Sequence, residues 1–183
     1  MQKFSAEGEF ITTWGSYGLT DAPDTFWGPR GVAVDNQGNI LVTDTGNKRI
    51  IVFNNQGEVL QEFGTVGYQL GEFDEPVGIA VSPIDNTLFV ADTWNQRIQT
   101  FDYQPDFGYT PISSWDIDGW FGQSLENKPY ITADNLNRLL VADPEAGRVL
   151  VFANDGTFLS TFGDYDQFGE NGFGLIGGIA SDQ

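Results

Sequence analysis

The stretch GVAVDNQGNILVTDTGNKRIIVFNNQGEVLQEFG, Gly31 to Gly64, reads as four short strands separated by turns. Val32-Ala33-Val34 suits a fully buried strand. Asn39 to Thr43 is rich in apolar and β-branched residues, as a second strand requires. Ile50 to Phe53 supplies a third and Val59 to Phe63 a fourth. Between the last two, Asn54-Asn55-Gln56-Gly57 brings the Asn and Gly that hairpin turns need for positive φ. No segment of the chain carries the 3.6-residue period of a helix, and no helix longer than about two turns is expected.

The same pattern returns twice. Gly78–Asp116 and Tyr130–Gly163 align with the first unit, placing Asp44, Asp92 and Asp143 in phase at spacings of 48 and 51. Arg49, Arg97 and Arg148 keep those spacings, as do Phe53, Phe101 and Phe152. Partial units flank the three. Residues 2–15 match the second half of a repeat, with Phe4 and Gly15 each 49 residues before Phe53 and Gly64. Residues 177–183 match the opening of one, with a first strand expected over Gly178 to Ser181. A period near 49 with four strands per unit predicts an all-β fold, a β-propeller of about four blades, three complete and the rest partial. One domain or propeller fragment over residues 1–183 is expected.

The motif Pro-x-Gly-[Ile/Val]-Ala-Val, then Asn-x-[Leu/Ile]-x-Val-x-Asp-[Thr/Pro]-x-Asn-x-Arg, then Phe-x-x-x-Gly, resembles the NHL repeat. Pro29, Gly31, Val32, Asp35, Asn39, Val42, Asp44, Asn47, Arg49, Phe53 and Gly57 carry it in the first unit. Pro76, Gly78, Ile79, Val90, Asp92, Asn95, Arg97 and Phe101 carry it in the second. The third unit departs: Pro129 is displaced by one position, and Ala146 stands where Asn47 and Asn95 stood. The resemblance implies a propeller, typically of six blades. It leaves function open, because NHL domains include binding scaffolds, sensors and a related lyase.

Eight Lys and Arg against 26 Asp and Glu leave a net charge of −18. Such a surface repels nucleic acid and anionic membrane, so neither is expected as a partner. The chain has no Cys and no His, which removes thiolate chemistry and the commonest general base and metal ligand. No P-loop, G-x-G-x-x-G or G-x-S-x-G is present. No apolar run is long enough for a transmembrane helix. The first residues lack the apolar region of a signal peptide. The compartment is left open, with an extracytoplasmic part of a bacterial protein as the favoured expectation.

Asp44/Arg49, Asp92/Arg97 and Asp143/Arg148 recur in every unit and are assigned to structure, each Asp capping a turn and pairing with its Arg. Phe10, Trp14, Phe63, Trp115 and Phe162 are expected to pack between blades. Loops that the repeat does not constrain are better site candidates. These place Trp27, Arg30, Val77, Trp94, Tyr130 and Glu145 on one rim, beside Gly46. Three acidic groups, Glu72/Asp74/Glu75, Asp116/Asp118 and Asp164/Asp166/Glu170, lack the spacing of a calcium loop. The sequence thus predicts a non-catalytic protein- or ligand-binding scaffold, with no catalytic residues, cofactor or metal. The alternative is a lactonase-like propeller enzyme with a carboxylate-bound metal near the axis. Open blade edges also predict a homodimer or other self-association.

Overall fold

The computed structural model describes residues 1–19, 22, 24–120, 128–166, 169–170 and 172–182. Strands β1 (Gln2–Phe4) and β2 (Phe10–Thr13) pair as a hairpin. Two short strands, β3 (Ser16–Tyr17) and β4 (Thr25–Phe26), pair in parallel within the linker that follows. Three antiparallel four-stranded sheets come next. The first runs β5 (Gly31–Val34), β6 (Ile40–Asp44), β7 (Arg49–Phe53), β8 (Val59–Phe63). The second runs β9 (Pro76–Val81), β10 (Leu88–Asp92), β11 (Arg97–Gln104), β12 (Gly108–Asp116). The third runs β13 (Ile131–Ala133), β14 (Arg138–Asp143), β15 (Arg148–Ala153), β16 (Phe158–Phe162). The chain is a run of β-propeller blades. Among the described residues the helical structure is one 3-10 turn, Thr45–Asn47.

Each blade repeats one device. The register slips at the third-strand phenylalanine, Phe4, Phe53, Phe101 or Phe152, a bulge that adds twist at the outer hairpin. The turn that follows Phe53 closes on Gly57 at φ +86°, where a side chain would be strained. The core lies between blades. Leu41, Ile50 and Val52 of the first sheet bury against Ile79, Leu88 and Phe101 of the second. Phe89 and Ile98 of the second meet Leu139, Leu150 and Phe152 of the third. Strand β9, flanked by β5 and β13, is buried along its whole length. By contrast β5 alternates and β16 is exposed throughout.

Several expectations are corrected. The strand Val32-Ala33-Val34 is not fully buried, Val32 and Val34 being 57% and 60% exposed, and Phe162 is 47% exposed rather than packed between blades. Residues Gly178–Ser181 do not form a strand. They run beside β13, with Ser181 Oγ donating to the Ala133 carbonyl at 2.9 Å. Among the described residues no strand pairs with them, and a ladder needs a paired neighbour. Gln183, the end of that partial unit, lies outside the described residues. Phe10 does not pack between blades: it opens β2, stays exposed and stacks edge-on to Phe4 in its own hairpin at 5.9 Å.

Candidate functional site

The loop entering each first strand and the turn joining second and third strands meet on one face, and the repeated Asp is what joins them. Asp44 Oδ1 accepts the Trp27 backbone N–H at 2.7 Å, and its Oδ2 accepts Asn47 Nδ2 at 2.7 Å and Arg49 Nε at 2.8 Å. Asp92 repeats this with the Asp74 N–H at 2.7 Å, Asn95 and Arg97 at 2.9 Å, and adds Gln99 at 3.0 Å. The Arg then reaches back to clasp the linker between blades. Arg97 donates to the carbonyls of Tyr68, Gln69 and Glu72, and Arg49 to that of Thr25. Burial pushes the Asp92 carboxyl above its ordinary range, and the bonds from Asn95, Asp74 and Arg97 offset that only in part. Burial alone would lower the Arg49 guanidinium, but Asp44 and Glu62 outweigh it and hold it above its ordinary value.

The third blade is looser. Ala146 offers no amide, Asp143 Oδ1 is buried without a hydrogen-bond partner among the described residues, and Arg148 reaches the Asp118 carbonyl from a more open position. The motif departure at Ala146 thus removes one of the donors that the other two carboxylates receive.

The rim candidates divide into separate neighbourhoods. Trp27, 44% exposed, lies over Gly46, where an added Cβ would come within 2.7 Å of the indole. Trp94 stands where the first blade has Gly46 and is 51% exposed. Lys48 and Lys128 set their ammonium groups 5.5 and 5.8 Å from its ring centroid, within cation–π range. Lys48 pairs with Asp74 at 3.0 Å and Lys128 approaches Glu75 at 3.8 Å, so two of the acidic loop residues are drawn into ion pairs. Lys128 is almost wholly buried. Burial lowers its pKa, Glu75 opposes the shift, and Arg30 and Lys48 reinforce it.

Arg30 and Tyr130 line a different opening, an axial one of about 260 Å³ shared with Val32, Ile79 and Ile131. Glu145 is exposed in the third blade's turn. Val77 is removed from the binding face: it is fully buried in β9, and its carbonyl accepts Thr43 Oγ1 at 3.0 Å. Its neighbouring blades cover it on both sides, which no reading of one repeat reveals.

Around Trp94 lies an open groove of about 430 Å³, lined by Tyr68, Trp94, Asn95, Gln96, Asp116, Ile117 and Asp118. Tyr68 had no place among the sequence candidates. It sits in the linker before the second blade, exposed, with the Arg97 guanidinium 4.9 Å from its ring centroid. The linkers share a phenylalanine, Phe26 or Phe73, but no repeated residue at the place of Tyr68, so periodicity could not mark it. Its exposed aromatic character was the one available signal. Among the described residues no group of three or more His, Cys, Asp or Glu side chains is placed to hold a metal ion.

A family model for the NHL repeat matches residues 26–53 and 73–101, the first and second blades. The chain carries NHL repeats. This NHL chain is 28% identical over 152 residues to Protein brain tumor of Drosophila melanogaster, covering 82% of the chain and 14% of that protein. It is 27% identical over 161 residues to the peptidyl-glycine alpha-amidating monooxygenase of Mus musculus, covering 82% of the chain and 16% of the enzyme. The NHL chain therefore spans less than a fifth of these curated relatives, one of which is an enzyme by name. A functionally unknown protein from Desulfotomaculum acetoxidans DSM 771 shares the fold at a TM-score of 0.63 and 19% identity, over 96% of this chain and 52% of that one.

Proposed function

We propose that this NHL chain is a non-catalytic interaction module whose Trp94 groove takes a lysine or arginine side chain of a protein partner. The observation that carries this reading is the half-exposed Trp94 indole sharing a groove with Tyr68 and the carboxylates of Asp116 and Asp118. The carboxylates of Asp116 and Asp118 attract a cation, the stem of a long basic side chain packs on aromatic surface that Lys48, Lys128 and Arg97 leave exposed, and a partly desolvated Trp is a common binding anchor. The net charge of −18 favours encounter with a basic partner. The repeated Asp and Arg residues are engaged in blade joints, which leaves recognition to the loops.

The lactonase-like alternative gains less support. Its metal would need carboxylates near the axis, whereas Arg30 and Tyr130 are the polar side chains at the axial opening.

The test uses a Lys/Arg-rich decapeptide and a matched Asp/Glu-rich one, titrated against the chain while tryptophan fluorescence is followed. Saturable binding of the basic peptide is expected, lost in Trp94→Ala and weakened in Asp116→Asn/Asp118→Asn. Equal binding by folded Trp94→Ala would show that the bulk charge, not the groove, does the work.

A further inference from the structure

Three residues that break the repeat meet beside the opening of β9. Trp94 stands where the first blade has Gly46. A Cβ on Gly31 would meet the Val77 carbonyl, and one on Gly78 would meet the Pro129 carbonyl. Pro129 therefore answers to Val77 one blade on, and Lys128 answers to Pro76, as Pro76 answers to Pro29. By the same alignment Glu75 replaces Gly28. Gly28 sits at φ +61° and Glu75 at φ +59°, a region that glycine enters freely and glutamate enters under strain.

These replacements set two ammonium groups on one indole. Lys48 Nζ lies 5.5 Å and Lys128 Nζ 5.8 Å from the Trp94 ring centroid. Glu75 holds both in place, 3.7 Å from Lys48 and 3.8 Å from Lys128, and Asp74 adds a closer contact to Lys48 at 3.0 Å. Lys128 Nζ is buried with no hydrogen-bond partner among the described residues, so the indole is one of the few groups that face its charge. Tyr68, the second aromatic of the groove, is committed in the same way. The Arg97 guanidinium lies 4.9 Å from its ring centroid and is fixed there by Asp92 and three linker carbonyls.

The groove carboxylates are placed differently. Arg97 faces Asp116 across the ladder but spends its N–H groups on Asp92 and the linker. Arg148 takes the backbone carbonyl of Asp118 and leaves the carboxylate. Two chemistries recognise a lysine side chain. Trimethylation keeps the charge but removes every N–H, and a quaternary ammonium is held by open aromatic faces. An unmodified ammonium has three donors and is held by acceptors, carboxylates above all. Here both aromatic rings already carry cations of the chain itself, and a further cation on Trp94 would meet the repulsion of Lys48 and Lys128.

We propose, given a basic side chain in the Trp94 groove, that the groove selects unmethylated lysine and that trimethylation of that lysine releases the partner. Asp116 and Asp118 take the N–H donors of the ammonium, and the stem of the side chain lies on the exposed part of the indole. Lys48 and Lys128 are specificity-determining residues that keep a quaternary ammonium off the ring.

The test titrates a lysine-rich decapeptide, and the same peptide with every lysine trimethylated, against the chain in a calorimeter. Both peptides carry the same charge, so attraction to the acidic surface is equal in the two arms. The unmodified peptide should bind roughly tenfold more tightly, the order of loss when charged hydrogen bonds are removed. Lys48→Met should narrow that ratio by admitting the trimethylated peptide to the indole. Lys48 is partly exposed, and an unchanged circular-dichroism spectrum confirms the fold of the variant. Asp116→Asn/Asp118→Asn should narrow the ratio from the other side, by weakening the unmodified peptide. Equal or tighter binding of the trimethylated peptide by the parent chain would overturn this proposal and leave the groove reading standing. So would a ratio that Lys48→Met leaves unchanged. Binding of neither peptide would overturn the groove reading, and this one with it.

Discussion

The fully buried carboxylate of Asp92 holds the backbone N–H of Asp74 at 2.7 Å, tying the linker that leaves the first blade to the turn of the second. Because Asp92 also carries Asn95, Arg97 and Gln99, its removal strands a buried guanidinium and several donors. Asp92→Ala should cost roughly 3–5 kcal/mol, the range for breaking one side of a buried pair. Asp74→Ala loses only a partly exposed ion pair to Lys48, worth about 0–1 kcal/mol. Urea denaturation of the two variants checks the order, and equal midpoints would contradict it.

On the opposite side, Asp85 links the second blade to the third, accepting Asn137 Nδ2 at 2.8 Å and Asn154 Nδ2 at 3.1 Å. Burial works to raise its pKa, but the bonds from Asn137, Thr87 and Ser82 prevail and lower it from 3.8 to about 2. A carboxyl depressed in the folded state stabilises above its unfolded value, and that contribution fades as protons are forced on. The stability difference between the parent chain and Asp85→Asn should therefore be constant above about pH 5 and shrink between about pH 4 and 2. Urea midpoints across that range measure it, and a difference independent of pH would refute the assignment.

Gly57 and Gly38 both sit at positive φ, +86° and +82°, but only Gly57 is overlaid by the Trp14 ring. Gly38→Ala should lose about 1 kcal/mol for the left-handed backbone alone. Gly57→Ala should lose a further 1–3 kcal/mol, roughly the cost of overpacking a joint. Thermal melts of the pair isolate the contribution of the Trp14 contact, and identical melting temperatures would deny it.

The Tyr109 hydroxyl donates to Asp35 Oδ2 and accepts from Asn86 Nδ2, each at 3.2 Å, joining the first blade's inner turn to the outer hairpin of the second. Burial first, and then the charge of Asp35, push its ionisation well above the ordinary tyrosine range, so it acts as a neutral donor. Tyr109→Phe should cost about 1–2 kcal/mol in urea denaturation, the usual loss when buried partners are left unpaired. An unchanged midpoint would show those partners satisfied by other means.

What the amino-acid sequence determined by itself is whatever depends on near neighbours. The order of strands, the glycine that each outer turn requires, and the Asp–Arg pair facing across one hairpin all follow from separations of a few residues. They recur at a period near 49, and so they stood out in the string. Even the loosened joint at Asp143 was legible, as an Ala in the place of an Asn. The tertiary structure decided what depends on the neighbouring blade. It buried Val77, because β9 is covered on both sides, and left Val32 exposed, because β5 is covered on one. It brought Tyr68 of one linker to the groove of Trp94 and Asp116. The same residue type at the same repeat position, Phe4 or Phe53, is exposed or fully buried according to whether a preceding unit stands against it. Burial and binding belong to pairs of blades, and a repeat read alone specifies only one member of each pair.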